Sequence, residues 1–481
     1  MRTTFSIRAR CLINWLAVGL IITASGCSAQ DGKQTNSTIY DSDPKHLWNR
    51  LNETLFDRTA PDGKHFGLDE LDILFWAGTK NLLVEPSHHQ SLAVLDEFIN
   101  SHGEKLISDP LKRALLQRDL WELFDWSAKN FRKPEETRAS NELQSRLAVL
   151  IRRLALTTNE IAALPDNYAK TGKSNPPNLP QGLFQTNGDW VSVGNNGGYG
   201  MEPVAPSHVS EFDGHSAFCV MLHLPEDRQA AISYLDRLRW FAQVDGAWNY
   251  RTNPLPWLST NISPVPVKPL DPSSTNAMTW RHMTWVSTNF PRHILELSPD
   301  LPQFPANTEW ALVRRMCVID TDGHIQPTPI IESIQLRRYL EVKNMNQVYH
   351  GAQQFFEFQL DRRRGGALRA LGQDEKGFPF VHFRGQGRDL FEPFNAFGRP
   401  SPLPQDSAKV QRVILETCFE CHSDRGIFSV LSYTGFLSPP PSQRPADLAV
   451  TGIDRQSKAT IYWKQRQFDW GLLQGLWRQT N

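Results

Sequence analysis

The chain has 481 residues, enough for two or three domains, and its 40% hydrophobic and 21% charged residues are typical of a folded globular protein. Lysine plus arginine and aspartate plus glutamate both count 51, so no basic excess points to nucleic acid as a partner. The composition therefore excludes an intrinsically disordered chain and gives no support to a nucleic-acid-binding function.

The first 26 residues have the features of a signal peptide. Arg2, Arg8 and Arg10 precede a mostly apolar run over residues 11–23, and small residues follow up to Cys27. The apolar run is shorter than the ~20 residues that a membrane-spanning helix needs. We therefore expect export across the cytoplasmic membrane, with residues 1–26 removed.

Cys27, directly after small residues, resembles the lipidated cysteine of the bacterial lipoprotein box, although Ala24 stands where that family most often has leucine. The resemblance implies that Cys27 becomes the acylated first residue of the mature protein, which the lipid holds on the periplasmic side of a cell-envelope membrane. The alternative is a secreted or periplasmic protein cleaved near Ser28 or Ala29. The polar residues up to 44 predict a flexible tether, 27–44.

Residues 45–170 have a helical pattern and predict an α-helical domain. Asp109 is an N-cap candidate followed by Pro110 at the first helical position, and apolar residues then recur at helical spacing. Thr157 and Glu160 have the spacing of a capping box. The pair His88-His89 is expected in a loop, because neighbouring side chains point in different directions and do not favour a metal site.

A proline-rich linker at 171–181 leads to a β-rich domain, 182–390. Within this domain residues 310–319 and 324–342 flank Asp320-Thr321-Asp322-Gly323, which is typical of a hairpin turn. Residues 355–360 and 378–383 are further predicted strands, with turns at Gly365-Gly366 and Lys376-Gly377. The arginines 362–364 have two interpretations, a solvated turn or a site for an anion such as a haem propionate.

The most specific motif is Cys418-Phe419-Glu420-Cys421-His422, whose C-x-x-C-H spacing predicts covalent attachment of one haem c. Two thiols three positions apart can bond the two vinyl groups of one porphyrin, and the adjacent imidazole of His422 is then placed to bind the iron. A zinc site would need a second ligand pair, and the remaining cysteines (Cys11, Cys27, Cys219 and Cys317) are solitary. A thioredoxin-like dithiol would follow a buried strand, whereas residues 407–417 have a helical pattern.

A helix that runs into C-x-x-C-H resembles the cytochrome c fold, in which the last helix packs across the first. Residues 457–479 are the predicted last helix, so the resemblance covers about 80 residues, 405–481. The fold class expected for the whole chain is α+β multidomain, with an N-terminal helical domain, a β-rich middle and a C-terminal, mostly α cytochrome c-like segment.

The chain departs from the cytochrome c pattern at the sixth iron ligand. Residues 423–481 contain no methionine and no histidine, so no distal ligand of the usual kind follows the motif. Candidate distal ligands lie upstream, and no spacing rule chooses among them: His382, His350, Met345, His324 and the segment Arg281-His282-Met283.

Three functions follow from this pattern. The first is electron transfer by a monohaem cytochrome to an unidentified redox partner in the envelope, and we favour it over catalysis. The second is a peroxidase-like haem enzyme or a gas sensor with an open distal site. The third is a non-enzymatic scaffold in which the haem stabilises a small C-terminal module.

Overall fold

The computed structural model describes residues 39–59, 65–67, 81–128, 134–174, 176–195, 203–211, 214–244, 248–252, 285–286, 293–297, 303, 305–341, 353–377, 412–413, 415 and 448–479. These residues form helices and antiparallel sheets, which confirms the predicted mixed α+β class. The helices are α1 (Leu47–Phe56), α2 (Ser87–Asn100), α3 (Pro110–Ser127), α4 (Pro134–Arg153), α5 (Thr158–Ala162), α6 (Asn167–Gly172), α7 (Pro206–Glu211), α8 (Arg228–Val244), α9 (Ile453–Gln465) and α10 (Phe468–Gln479).

Seven strands form the main antiparallel sheet, in the spatial order β11-β10-β9-β8-β4-β3-β14. Its strands are β3 (Val191–Asn195), β4 (Ser216–His223), β8 (Glu309–Ile319), β9 (Ile325–Tyr339), β10 (Gln353–Asp361), β11 (Ala367–Ala370) and β14 (Leu448–Val450). The remaining strands form three small sheets: β1 (Arg58–Thr59) with β2 (His65–Phe66), β5 (Trp248–Thr252) and β6 (Trp285–Val286) with β7 (His293–Leu297), and β12 (Lys376–Gly377) with β13 (Arg412–Val413).

The predicted hairpin is the centre of the main sheet. β8 and β9 pair from Glu309 opposite Arg338 to Ile319 opposite Ile325. Residues 320–323 make the turn between them, as the sequence predicted. β10 confirms the next predicted strand and pairs with β9. The turn at Gly365-Gly366 is also confirmed, since both glycines have positive φ, a conformation that glycine adopts without steric cost.

α3 is the helix that the other elements surround. Its N-cap is Asp109, whose carboxylate accepts hydrogen bonds from the backbone N–H groups of Leu111 and Lys112, as predicted. Every residue from 114 to 127 is buried, because α4, α10 and β8 all pack against the helix. The capping box of Thr157 and Glu160 at the start of α5 is confirmed as well.

The largest hydrophobic core joins side chains from distant parts of the sequence. It includes Trp48 of α1, Trp121 of α3, Ile319 of β8 and both Trp470 and Trp477 of α10. Trp121 and Trp470 are in ring contact, with centroids 5.9 Å apart. The first described helix and the last one therefore contribute to the same core.

Three predicted elements differ in the structure. The helix expected over 457–479 is two helices, because the backbone turns at Arg466 and Gln467, whose N–H groups bond to the carbonyls of Trp463 and Lys464. Within the helix expected over 407–417, Arg412 and Val413 form strand β13, paired with β12 where a turn was predicted. The β-branched residues of this segment favour extended backbone.

The histidine pair is the third difference. His88 and His89 lie in the first turn of α2 and not in a loop, because Pro86 begins the helix instead of ending it. The two side chains do point apart, as predicted: His88 is buried and bonds to Leu82 O and Glu142, whereas His89 is exposed.

Candidate functional site

The most distinctive chemical feature of the described residues is a set of charged and polar side chains inside the fold. We call it the buried ionic network, and each of its charged side chains is at most 17% exposed. It comprises ten residues: Arg118, Asp119, Glu122, Asp125, His215, Ser216, Glu332, Arg362, Lys464 and Asp469.

One half of the buried ionic network is centred on Arg118 of α3. Its guanidinium Nε lies 2.7 Å from Glu332 Oε1 on β9, and its Nη1 bonds to Glu122 one helical turn further along. Glu332 also accepts a hydrogen bond from the hydroxyl of Ser216 on β4. This half therefore connects α3 to β9 through the Arg118–Glu332 ion pair, and β9 to β4 through the charge-assisted hydrogen bond from Ser216.

Arg362, in the turn after β10, extends this half of the network. It makes a bidentate contact with Asp119, with Nη2 2.8 Å from Oδ1. Burial raises the pKa of Asp119, and Arg362 and Arg118 offset part of that rise. Burial alone would lower the pKa of Arg362, but the Asp119 carboxylate raises it, so the guanidinium keeps its charge.

The other half is centred on Lys464 of α9, which is fully buried. Its Nζ donates to Asp125 of α3 and, at 2.6 Å, to Oδ2 of Asp469 at the start of α10. His215, just before β4, has its Nε2 against the same Asp125 carboxylate. Burial lowers the pKa of Lys464, but Asp125 and Asp469 raise it more, so this ammonium stays charged inside the fold.

Trp121 contacts both His215 and Lys464, the two partners of Asp125. The edge of His215 approaches its ring at a centroid distance of 4.7 Å, and Lys464 Nζ lies 5.7 Å from the ring centroid. An aromatic face beside an ammonium stabilises the positive charge. The arrangement holds charged and polar side chains at fixed positions between α3, the sheet and α9.

One groove among the described residues lies elsewhere. It has a volume of about 160 Å³ and lies between the β8–β9 turn, the end of α4 and α10, where Arg152, Asp320 and Trp477 are among its lining residues. No residue of the buried ionic network lines it. The network therefore resembles an internal connection between elements more than a substrate pocket.

Most of the site residues predicted from the sequence lie outside the described residues. These are Cys27, Cys418, Cys421, His422, His382, His350, Met345 and the segment 281–283. His324 is described: it lies in the β8–β9 turn with a side chain 69% exposed, and its Nδ1 is 3.8 Å from Asp320 Oδ1.

The same turn brings together three potential metal ligands, Asp320, Asp322 and His324. Asp320 already uses its oxygens to hold the turn. Its Oδ1 accepts from the backbone N–H groups of Asp322 and His324 at 3.0 and 2.8 Å, and its Oδ2 accepts from Gln326 at 2.8 Å. These hydrogen bonds account for the shape of the turn without a metal, and we assign none.

The sequence did not reveal the buried ionic network. Arg118, Glu122 and Asp125 follow one another at helical spacing, a pattern more typical of a solvated helix face. Among the three arginines after β10, the solvated-turn interpretation fits Arg364, whose side chain is 81% exposed, but Arg362 is buried against Asp119. The one available signal was that apolar residues flank these charges on all sides of α3.

No protein-family model, curated protein or solved structure matches this chain. Among the described helices, none combines the length and the apolar character that crossing a membrane requires.

Proposed function

We propose that the protein is a cell-envelope c-type cytochrome that carries one covalent haem and transfers electrons to a redox partner in the envelope. Cys418 and Cys421 would form the thioether bonds, and His422 would bind the iron from the proximal side. The observation that carries the proposal is the C-x-x-C-H spacing in a chain with six cysteines. The N-terminal signal supports it independently, because haem c is attached outside the cytoplasmic membrane.

The proposal assigns the haem to a cytochrome c-like segment, 405–481, beside a helical domain, 45–170, and a β-rich domain, 182–390. In the last part of this segment β14 pairs with β3, and α9 packs on β4. The chain that follows the haem motif would therefore be joined directly to the main sheet. A fixed junction of this kind would hold the haem in one orientation for its partner.

Covalent attachment is the direct test. When the protein is produced with a working cytochrome c maturation system, we expect it to keep its haem through denaturing electrophoresis, detected by haem peroxidase staining. Replacing both thiols, Cys418→Ser with Cys421→Ser, should abolish the stain, whereas Cys219→Ala, a buried thiol on β4, should retain it. An unmutated protein without covalent haem would disprove the proposal.

We also propose that Cys27 is acylated and tethers the protein to the membrane through residues 28–44. The wild-type protein should then partition with detergent, and Cys27→Ala should remain unprocessed or become soluble. Mass spectrometry of the mature N-terminus decides this point. A mature chain that begins at Ser28 or later without lipid would contradict the anchor and indicate a secreted or periplasmic protein.

A haem enzyme or sensor is the second candidate, and the absence of methionine and histidine from residues 423–481 favours it. We expect the ferrous protein either to bind carbon monoxide, which indicates an open or weakly held site, or to have a bis-histidine spectrum that one substitution among His324, His350 and His382 abolishes. A methionine-to-iron charge-transfer band in the ferric form would contradict this expectation and indicate Met345 or Met283.

A further inference from the structure

The turn between α9 and α10 exposes large aromatic side chains. Phe468, the first residue of α10, is 73% exposed, and Tyr462 of α9 is 42% exposed. Phe468 is the most exposed large hydrophobic side chain of the described residues, since the next, Leu106, is 53% exposed. Exposure of an aromatic ring to water is unfavourable, and contact of the ring with an apolar phase is favourable.

Basic side chains lie beside these rings. Lys458, Tyr462 and Arg466 follow at steps of four and therefore lie on one face of α9 and its C-cap. The Arg466 guanidinium is 5.2 Å from the centroid of the Tyr462 ring. Neither Lys458 nor Arg466 forms a salt bridge with a described residue, and both are exposed. We call Lys458, Tyr462, Arg466 and Phe468 the corner patch.

The acidic residues of α9 and α10 offset only part of this charge. α9 and α10 are described in full, and of their two acidic residues Asp469 is turned inward against Lys464. Asp454 is exposed one turn before Lys458, on the same face of α9. Together with Asp454 this face has two cations and one anion, so it keeps a net positive charge although the whole chain has equal numbers of basic and acidic residues.

We infer that the corner patch docks on the anionic headgroups of a phospholipid bilayer, with Phe468 inserted at the boundary of the acyl chains. Exposed aromatic rings beside lysine and arginine suit the membrane interface, where the ring is buried and the cation binds lipid phosphate. The inference rests in part on the proposed lipid anchor at Cys27, which would keep the protein close to such a surface.

The test is co-sedimentation of the unlipidated mature chain, from Ser28 onward, with vesicles of phosphatidylcholine alone or mixed with phosphatidylglycerol. We expect binding to the anionic vesicles that weakens as salt is raised. Phe468→Ser should weaken it about ten-fold, and Lys458→Gln with Arg466→Gln about thirty-fold at low salt. Because these side chains are exposed, the variants should unfold at the wild-type denaturant concentration.

Two matched controls make the result specific. Leu106→Ser removes an exposed apolar side chain from another surface, and Arg364→Gln removes an exposed cation, so both should bind like the wild type. Gly471→Glu should abolish binding without disturbing the fold, because it lies one turn from Phe468 and a side chain there meets open space.

Failure of this inference is distinguishable from failure of the proposed function. Vesicle binding of the unlipidated chain depends neither on haem nor on acylation of Cys27. The inference would be overturned if the wild-type chain did not bind anionic vesicles. It would also be overturned if the control substitutions weakened vesicle binding as much as Phe468→Ser does. A different result would be a wild-type chain that does not bind vesicles and corner-patch variants that transfer electrons more slowly to a protein partner. The patch would then be a protein interface, and the lipid assignment would be wrong.

Discussion

Lys464 shows how strongly one residue can depend on its partners. Its ammonium is fully buried and donates to Asp125 and Asp469. We expect Lys464→Met to lower the free energy of unfolding by about 3–5 kcal/mol, because the change leaves buried carboxylates without their cation. Chemical denaturation followed by tryptophan fluorescence measures the loss.

Lys458→Met is the matched control for this prediction, since Lys458 lies on the same helix but is exposed. It should change the free energy of unfolding by less than about 0.5 kcal/mol. Equal effects of the two substitutions would show that the contribution of Lys464 comes from the helix and not from the buried ionic network.

Glu357 on β10 predicts a pH dependence of stability. Burial raises the pKa of this carboxyl, and Gln359 and Arg314 offset only part of that rise. A folded-state pKa above the unfolded value of about 4.3 means that the group favours the folded protein below that value, and that this contribution is lost as pH rises through the folded pKa. We therefore expect Glu357→Gln to stabilise the protein at pH 7.

Denaturation curves between pH 4 and pH 8 check this expectation: the stability gain of Glu357→Gln should appear as pH rises and be absent at the acidic end. Glu85→Gln, a substitution at an exposed site, should give curves parallel to the wild type. A loss of stability in Glu357→Gln at pH 7 would show that the carboxylate is ionised and favourably paired.

Among the elements, the attachment of β14 depends on one glycine. A Cβ at Gly194 of β3 would lie 2.1 Å from Thr451 Oγ1 and 2.5 Å from its Cγ2. We expect Gly194→Val to push β14 from β3 and lower stability by about 2–3 kcal/mol. Chemical denaturation and hydrogen exchange at Ala449 and Val450 are the measurements.

Thr451→Gly in the same chain should restore part of the loss, because it removes the atoms that a side chain at position 194 would meet. Gly471→Ala is the control for adding a methyl group to glycine, since space is open there, and as a helical substitution it should be neutral or slightly stabilising. A double variant as unstable as Gly194→Val alone would show that the valine clashes with a residue other than Thr451.

The sequence predicted the elements that are determined by residues close to one another along the chain. The N-cap at Asp109, the capping box at Thr157 and the β8–β9 turn depend on residues a few positions apart, and all three are confirmed. The end of α9 at Arg466 could not be predicted in the same way, because it brings Asp469 back to Lys464 and Trp470 against Trp121.

The buried ionic network could not be predicted for the same reason. Helical spacing placed Arg118, Glu122 and Asp125 on one face, but Glu332, which pairs with Arg118, and Lys464, which pairs with Asp125, lie hundreds of residues away on β9 and α9. A single sequence does not reveal which charges will meet. The haem motif, by contrast, is a local pattern whose assignment depends on five consecutive residues, and it remains a prediction.

At the scale of the whole molecule, the shared core predicts cooperative unfolding. Trp477 of α10 is 7% exposed, and its Nε1 donates to Ala148 O of α4 at 2.7 Å. We expect Trp477→Ala to lower stability by about 3–5 kcal/mol. Far-ultraviolet circular dichroism and fluorescence should give coincident transitions in both proteins. A separate early transition of the C-terminal helices would contradict a common core.

The contact between Asp125 and Lys464 also has a consequence for the order of events during synthesis. The two residues are 339 positions apart. At the usual rate of about 5–20 residues per second, the carboxylate of Asp125 would leave the ribosome roughly 20–70 s before the ammonium that it pairs with. Until then the unpaired charges of α3 disfavour its burial. The nascent chain would therefore form its hydrophobic core late, when nearly all of its length has been made.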